Sequence, residues 1–168
     1  MYARQNGDVI ESVLGLTPSS PIPELRGLRP MLKHLSQTSY AAALEPEEPC
    51  NFSRAERAAL AARMAAAWRC EELATHYRAR MVAEGGGEAE AALADPAWSP
   101  PAPAGRLAAV LRHADLVTLK PKSATRADIE ALKASGLDER DIVALSGLIA
   151  FVNYQIVLVA GLRLLRDH

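Results

Sequence analysis

Apolar residues along this chain recur mostly at three- and four-residue spacing, the period of helices that bury one face. The clearest case follows Ser53-Arg-Ala-Glu56, a capping box in which the serine accepts from the third amide and the glutamate reaches back. Behind it, Leu60, Met64 and Trp68 form one large-apolar stripe. The helical run continues to Val82 with a break expected near Arg69–Glu72, and Gly85-Gly-Gly87 ends it. Leu32, Leu35, Tyr40 and Leu44 predict a helix from Met31 to Leu44, and Leu107, Val110, Leu111 and Ala114 predict another over Gly105–Leu119. Thr125-Arg-Ala-Asp128 is a second capping-box start, stopped by Gly136. Val9–Leu14 reads as a short amphipathic turn or helix after an Asp8 cap, whereas Pro21, Pro23, Gly27 and Pro30 read as interruptions. Pro46-Glu-Glu-Pro-Cys-Asn51 is expected to be a loop. Residues 85–105, with Pro96, Pro100, Pro101 and Pro103, are expected to form an irregular connector around one short helix, Glu88–Ala94. Neither half beside this connector looks self-sufficient, so a single domain spanning 1–168 is expected.

The most informative segment is Ile142–Leu162, 21 residues without a formal charge. Its length alone suits a membrane span. Ser146, Asn153 and Gln155 lie within it, Gly147 and Gly161 weaken it, and no second span accompanies it, so no membrane partner is expected. Seven of the chain's 15 valines and isoleucines fall here, which leaves a strand pair conceivable. An Asp138 cap, Asp141 three residues later and the lack of an internal turn signal favour one long buried helix. A helix apolar on nearly every side needs cover on nearly every side, and some of that cover is expected from another subunit.

Alanine (32) and leucine (22) outnumber valine and isoleucine (15) so strongly that an all-α fold is expected. Nineteen basic against 20 acidic side chains give a net charge of −1, and aromatics make up only 5% of residues. With neither a basic excess nor stacking platforms, nucleic acid is not an expected partner. Cys50 and Cys70 make no disulfide framework, and the first residues lack the apolar core of a signal peptide, so a cytoplasmic protein is expected.

Few side chains are placed for chemistry. His34, His76, His113 and His168 include no pair at helical ligand spacing, so no metal site is expected. His113-Ala-Asp115 reads as an exposed helix end. Gly85-Gly-Gly87 lacks the lysine and serine of a phosphate cradle, and no nucleophile elbow is present, so no cofactor is expected. Glu56, Cys70 and His76 remain as candidates. A thiol does redox work as the thiolate, and a nearby histidine helps generate it. On one continuous helix Cys70 and His76 would point about 120° apart, so they meet only if the helix breaks between them. Each also has a plain structural explanation: capping for Glu56, burial for Cys70, and packing beside Tyr77 for His76.

Phe52-Ser-Arg-Ala-Glu56-Arg-Ala-Ala-Leu60, continuing to Leu73-Ala-Thr-His76-Tyr-Arg-Ala-Arg-Met81, resembles the core of the carboxymuconolactone decarboxylase superfamily. More narrowly, it is similar to the alkylhydroperoxidase D-like, peroxidase-related branch. Ala131-Leu-Lys-Ala-Ser-Gly136, running through Ile142 to Ala150-Phe-Val-Asn153-Tyr-Gln155, looks like that branch's second characteristic segment. The resemblance implies an alkylhydroperoxidase D-like helical fold, homo-oligomers, and a hydroperoxide or other small molecule as partner. As catalytic residues of a thiol-dependent hydroperoxide reductase it implies His76 as proton shuttle, Glu56 orienting it, and Cys70 as the nearby thiol. The branch carries two cysteines separated by two residues, the second four residues before the histidine. Here those positions hold Arg69 and Glu72, and Cys70 is one residue off. Without the pair, a sulfenic acid has no local thiol with which to close a disulfide. The expectation is a peroxidase-related protein whose antioxidant activity is weak or lost. Two further readings stay open: a non-enzymatic homo-oligomeric scaffold or small-ligand binder, and acid–base lactone or decarboxylation chemistry through Glu56 and His76.

Overall fold

An alanine-rich helix at the centre organises the rest of the chain. The structure, a computed structural model, describes residues 7–17, 19–102 and 105–167. Among them are the helices α1 (Val9–Val13), α2 (Pro21–Gly27), α3 (Pro30–Leu44), α4 (Arg54–Ala67) and α5 (Glu71–Ala83). They are followed by α6 (Glu88–Leu93), α7 (Gly105–Leu119), a 3-10 turn at Pro121–Ser123, α8 (Arg126–Ala134) and α9 (Glu139–Asp167). No strand occurs among the described residues, so the fold is all-α. Pro103 and His168, both weighed in the sequence, lie outside the described residues.

Ala58, Ala59, Leu60, Ala61, Ala62, Met64 and Ala65 of α4 are all completely buried. Small side chains let α5, α9, α6 and α7 close in on different sides of α4, so it is covered all round. The expected stripe stops short of its last member. Trp68 lies mostly in solvent beyond the helix end, with its indole N–H donating to the Thr118 carbonyl.

The expected break after α4 is a Schellman turn. Arg69 N–H donates to Ala66 O and Cys70 N–H to Ala65 O, both at 2.9 Å. Arg69 takes φ +55°, a left-handed conformation that glycine would adopt at lower cost. The turn reverses the chain and lays α5 back along α4.

The prolines near residue 20 start a helix rather than interrupt one. Pro21 is the first residue of α2, where its missing N–H has no intrahelical partner in any case, and Pro23 falls in the same first turn. Ser20 Oγ accepts from Ile22 N–H and caps the helix.

The uncharged segment is one helix. Asp138 and Asp141 form a reciprocal cap: Asp141 N–H donates to Asp138 Oδ1 (2.8 Å) and Asp138 N–H to Asp141 Oδ2 (3.0 Å). The helix they start, α9, runs 29 residues and is long and apolar enough to cross a membrane, with mean hydropathy 2.1 in its most apolar stretch. Half of that stretch is buried within the domain. Leu145, Leu148, Val152 and Val159 face the core, while the opposite face is exposed.

The connector is irregular, as expected, but it is pinned. Arg63, nearly fully buried on α4, makes a two-pronged pair with Asp115 of α7 at 2.8 and 2.7 Å. Its remaining donors reach the carbonyls of Asp95 (2.6 Å), Trp98 (3.1 Å) and Pro96 (3.4 Å). One guanidinium thus binds the connector to the central helix.

Candidate functional site

Cys70 and His76 both ride on α5, at its N-cap and near its middle. The Cys70 side chain is buried, at 5% exposure. Burial pushes its thiol up, the carboxylates of Glu72 and Glu71 add to this, and the Leu73 amide and Arg163 pull back only in part. That environment favours the inert thiol over the thiolate.

His76 Nε2 lies 2.9 Å from Tyr40 Oη, in a hydrogen bond between α5 and α3. Burial, helped by the Arg80 charge, pushes the imidazole down to about 4. The neighbouring rings are packed together: Tyr40 stacks on Tyr77 at 6.5 Å, and Phe151 of α9 meets Tyr40 edge-on at 6.2 Å. Tyr77 is fully buried and donates its hydroxyl to Gln155 Oε1. Burial holds that phenol well above its ordinary value. His76 and Tyr77 are therefore both uncharged at neutral pH.

Glu56 stands elsewhere. Its amide takes the Ser53 cap at 3.0 Å, but its carboxylate turns to Arg106 of α7 at 2.8 Å instead of closing the expected capping box. Arg106 also donates to Asn51 O and lies over the Phe52 ring, 4.7 Å from its centre. Eleven residues of α4 separate Glu56 from the helix end at Ala67, about 16 Å along the axis, and Cys70 lies past that end in the turn to α5. No hydrogen bond joins any two of Glu56, Cys70 and His76. His76, expected as a proton shuttle, has the Tyr40 hydroxyl for its hydrogen-bond partner rather than the Glu56 carboxylate.

The second thiol is no closer. Cys50 is exposed in the loop before α4, against Arg140 and Val143 at the start of α9. The Cys70 end of α5 meets the other end of α9, where Glu72 pairs with Arg163 at 3.4 Å. Those two places on α9 are about 30 Å apart, whereas a disulfide needs its Cα atoms within about 7 Å.

Beside the aromatic cluster, α3 and α9 flank an open groove of about 620 Å³. Leu32, Leu35, Leu148, Phe151 and Tyr154 make it mainly apolar, and Phe151 links it to the Tyr40–His76 pair. At one end lies Arg57 of α4, 2% exposed. Its guanidinium donates to the carbonyls of Phe52 (3.2 Å), Ala43 (3.1 Å) and Pro49 (2.8 Å). Burial draws its pKa down from the ordinary arginine value, against the Cys50 and Glu56 fields.

The sequence did not single out Arg57 and Tyr40 beside the groove, nor Arg63, which pins the connector. A usable signal existed for both arginines. Neither has a carboxylate three or four residues away on its own helix, so each had to find partners elsewhere in the fold. His113 corrects another expectation: it is buried between α7 and its neighbours, with Nδ1 unpartnered, and is not an exposed helix end. No group of three or more His, Cys, Asp or Glu side chains is arranged to hold a metal ion among the described residues.

The chain shares the fold of a peroxidase-related protein. The crystal structure of an uncharacterized peroxidase-related protein from Silicibacter sp. TM1040 superimposes with a TM-score of 0.66 over 77% of this chain. The match spans 66% of that protein's length, and sequence identity is 20%, so the likeness is one of fold. Neither a family sequence model nor a curated protein matches the chain.

The half-buried imidazole makes a pH prediction. Unfolding returns His76 to its ordinary value of 6.5, so between there and about 4 the unfolded chain binds a proton that the folded chain refuses. Stability is full above 6.5 and falls as pH drops toward 4; between pH 7.5 and 5 the loss should be about 2 kcal/mol. Burial lowers His113 in the same direction, so comparison with His76→Gln isolates the His76 share. Burial raises Asp8 and Asp141, but Arg26 and Asn51 hold them below the ordinary carboxylate value, so their contributions are lost only below this window. Urea unfolding of both proteins at both pH values checks it. A wild type that loses no more than His76→Gln would mean that water reaches this ring.

Proposed function

We propose that this chain is a member of the carboxymuconolactone decarboxylase superfamily, in its alkylhydroperoxidase D-like branch, that has given up dithiol hydroperoxide reduction. It works instead as a homo-oligomeric binder of a small, largely apolar molecule. The observation that carries the reading is the fate of the thiols. Cys70 is sealed among apolar groups with its thiolate disfavoured, and Cys50 lies at the far end of α9. Peroxide reduction needs an attacking thiolate and a thiol to resolve the sulfenic acid, and this chain has neither in reach. What the fold retains is a preformed groove within the usual size range of small-molecule sites, roughly 300–1,000 Å³. Two unpaired thiols suit work in the reducing cytoplasm.

Peroxide consumption with dithiothreitol as reductant tests the loss of chemistry. The expected rate equals that without protein, and Cys70→Ser leaves it unchanged. Turnover that Cys70→Ser abolishes would restore the enzymatic reading. Thiol titration gives an independent check: one thiol, Cys50, should react at once in the native protein, and the second only after unfolding.

A further inference from the structure

Arg57 is a buried cation that forms no ion pair among the described residues. It spends three of its five N–H donors on backbone carbonyls. Glu56, the next residue, has its carboxylate committed to Arg106. The α3 carboxyl end, where Ala43 O accepts from Arg57, supplies only a partial negative charge. Buried charges are as a rule paired, because desolvation is costly without an opposite charge. Here the unpaired charge lies at one end of the α3–α9 groove, whose walls are otherwise mostly apolar.

The rest of the groove fixes the kind of ligand. From Ala43 beside the guanidinium to Leu32 at the other end, the α3 wall runs eleven residues, roughly 16 Å. Leu35, Leu148 and Phe151 line that length and offer hydrocarbon contact. Glu48 also lines the groove but is exposed to water, where solvent screens its charge. A single buried positive charge balances a single negative one, and a guanidinium with two spare donors matches a planar carboxylate.

We propose that the α3–α9 groove binds an amphipathic carboxylate, its head group on Arg57 and its hydrocarbon tail along Leu35, Leu148 and Phe151 toward Leu32. This deepens the ligand-binding reading above and rests on it.

Truncating Arg57 is a poor test, because it would strip three carbonyls of their donor. The wild-type protein supplies a better one. Calorimetric titration should show decanoate binding at least tenfold more tightly than 1-decanol. Ser39, an exposed α3 residue in the groove wall, allows a second arm. Ser39→Glu should erase the margin of decanoate over decanol and leave the helical circular dichroism spectrum as it was. Equal affinities in the wild type would limit Arg57 to holding its loop and overturn the proposal, while leaving the ligand-binding reading standing. A preference that survives Ser39→Glu would place the head group elsewhere and equally overturn it. If neither compound binds, the ligand-binding reading itself falls.

Discussion

Replacing Arg63 with methionine should destabilise the protein by about 3–4 kcal/mol, the cost of breaking a buried ion pair and stranding the groups around it. Methionine fills much of the volume of the arginine stem, so the loss reports on polar contacts more than on a cavity. Asp115 would keep its charge without its partner, and the carbonyls of Asp95, Pro96 and Trp98 would lose their donor. Asp115 is about one-third exposed (35% of its side chain), and its partial hydration keeps the figure below the top of the usual range. The reverse substitution, Asp115→Asn, should cost only about 1 kcal/mol, because Arg63 keeps its carbonyls and the amide oxygen still accepts. Since domains are stable by only about 5–15 kcal/mol, the first change should move a urea midpoint markedly and the second slightly. Equal midpoint shifts for the two variants would refute the view that one guanidinium ties the connector to α4.

That asymmetry also explains what the sequence disclosed and what it hid. Local signals were legible: the caps at Ser53, Thr125 and Asp138 and the turn at Arg69 each depend on neighbouring residues in sequence, and the uncharged length of α9 on one unbroken run. Pro21 misled because two prolines read as breakers, while at the first turn of a helix they cost nothing. The candidate site was legible only as a set of residue types. Glu56 fits a capping box by sequence, yet an Arg106 fifty residues away competes for the carboxylate and wins with an ion pair. His76 was found, but its partner Tyr40 sits 36 residues earlier on another helix. Arg57 and Arg63, buried in an alanine run, take their meaning from loops that only the fold brings alongside.

Val157→Glu on α9 should turn a dimer at micromolar concentration into a monomer. The exposed face of α9 carries Val143, Gly147, Ala150, Tyr154, Val157, Gly161 and Leu164, in alternating steps of four and three residues. That is the 3.5-residue period of a two-helix seam, sustained for three heptads without a charge. Val143 is 71% exposed, Val157 73% and Leu164 63%, so this chain leaves the seam uncovered. Added Cβ atoms at Gly147 and Gly161 would meet nothing within 4 Å, which leaves room for a second helix to approach there. Pairing α9 with its copy, antiparallel about a two-fold axis near Tyr154, would bury the whole stripe against itself. A glutamate at 157 then enters the interface in both copies, and two desolvated carboxylates without partners should weaken association by at least a hundredfold. Sedimentation of the wild type and the variant, with Ser12→Glu at the exposed position of α1 as a matched charge control, decides the matter. A wild type that is already monomeric, or soluble only in detergent, would refute the seam. So would a Val157→Glu protein that still sediments as a dimer. Gly147 and Tyr154 belong to the seam and to the lining of the α3–α9 groove alike, so a copy seated on the seam would also roof the groove's open side. If both hold, Val157→Glu should weaken ligand retention as well as assembly.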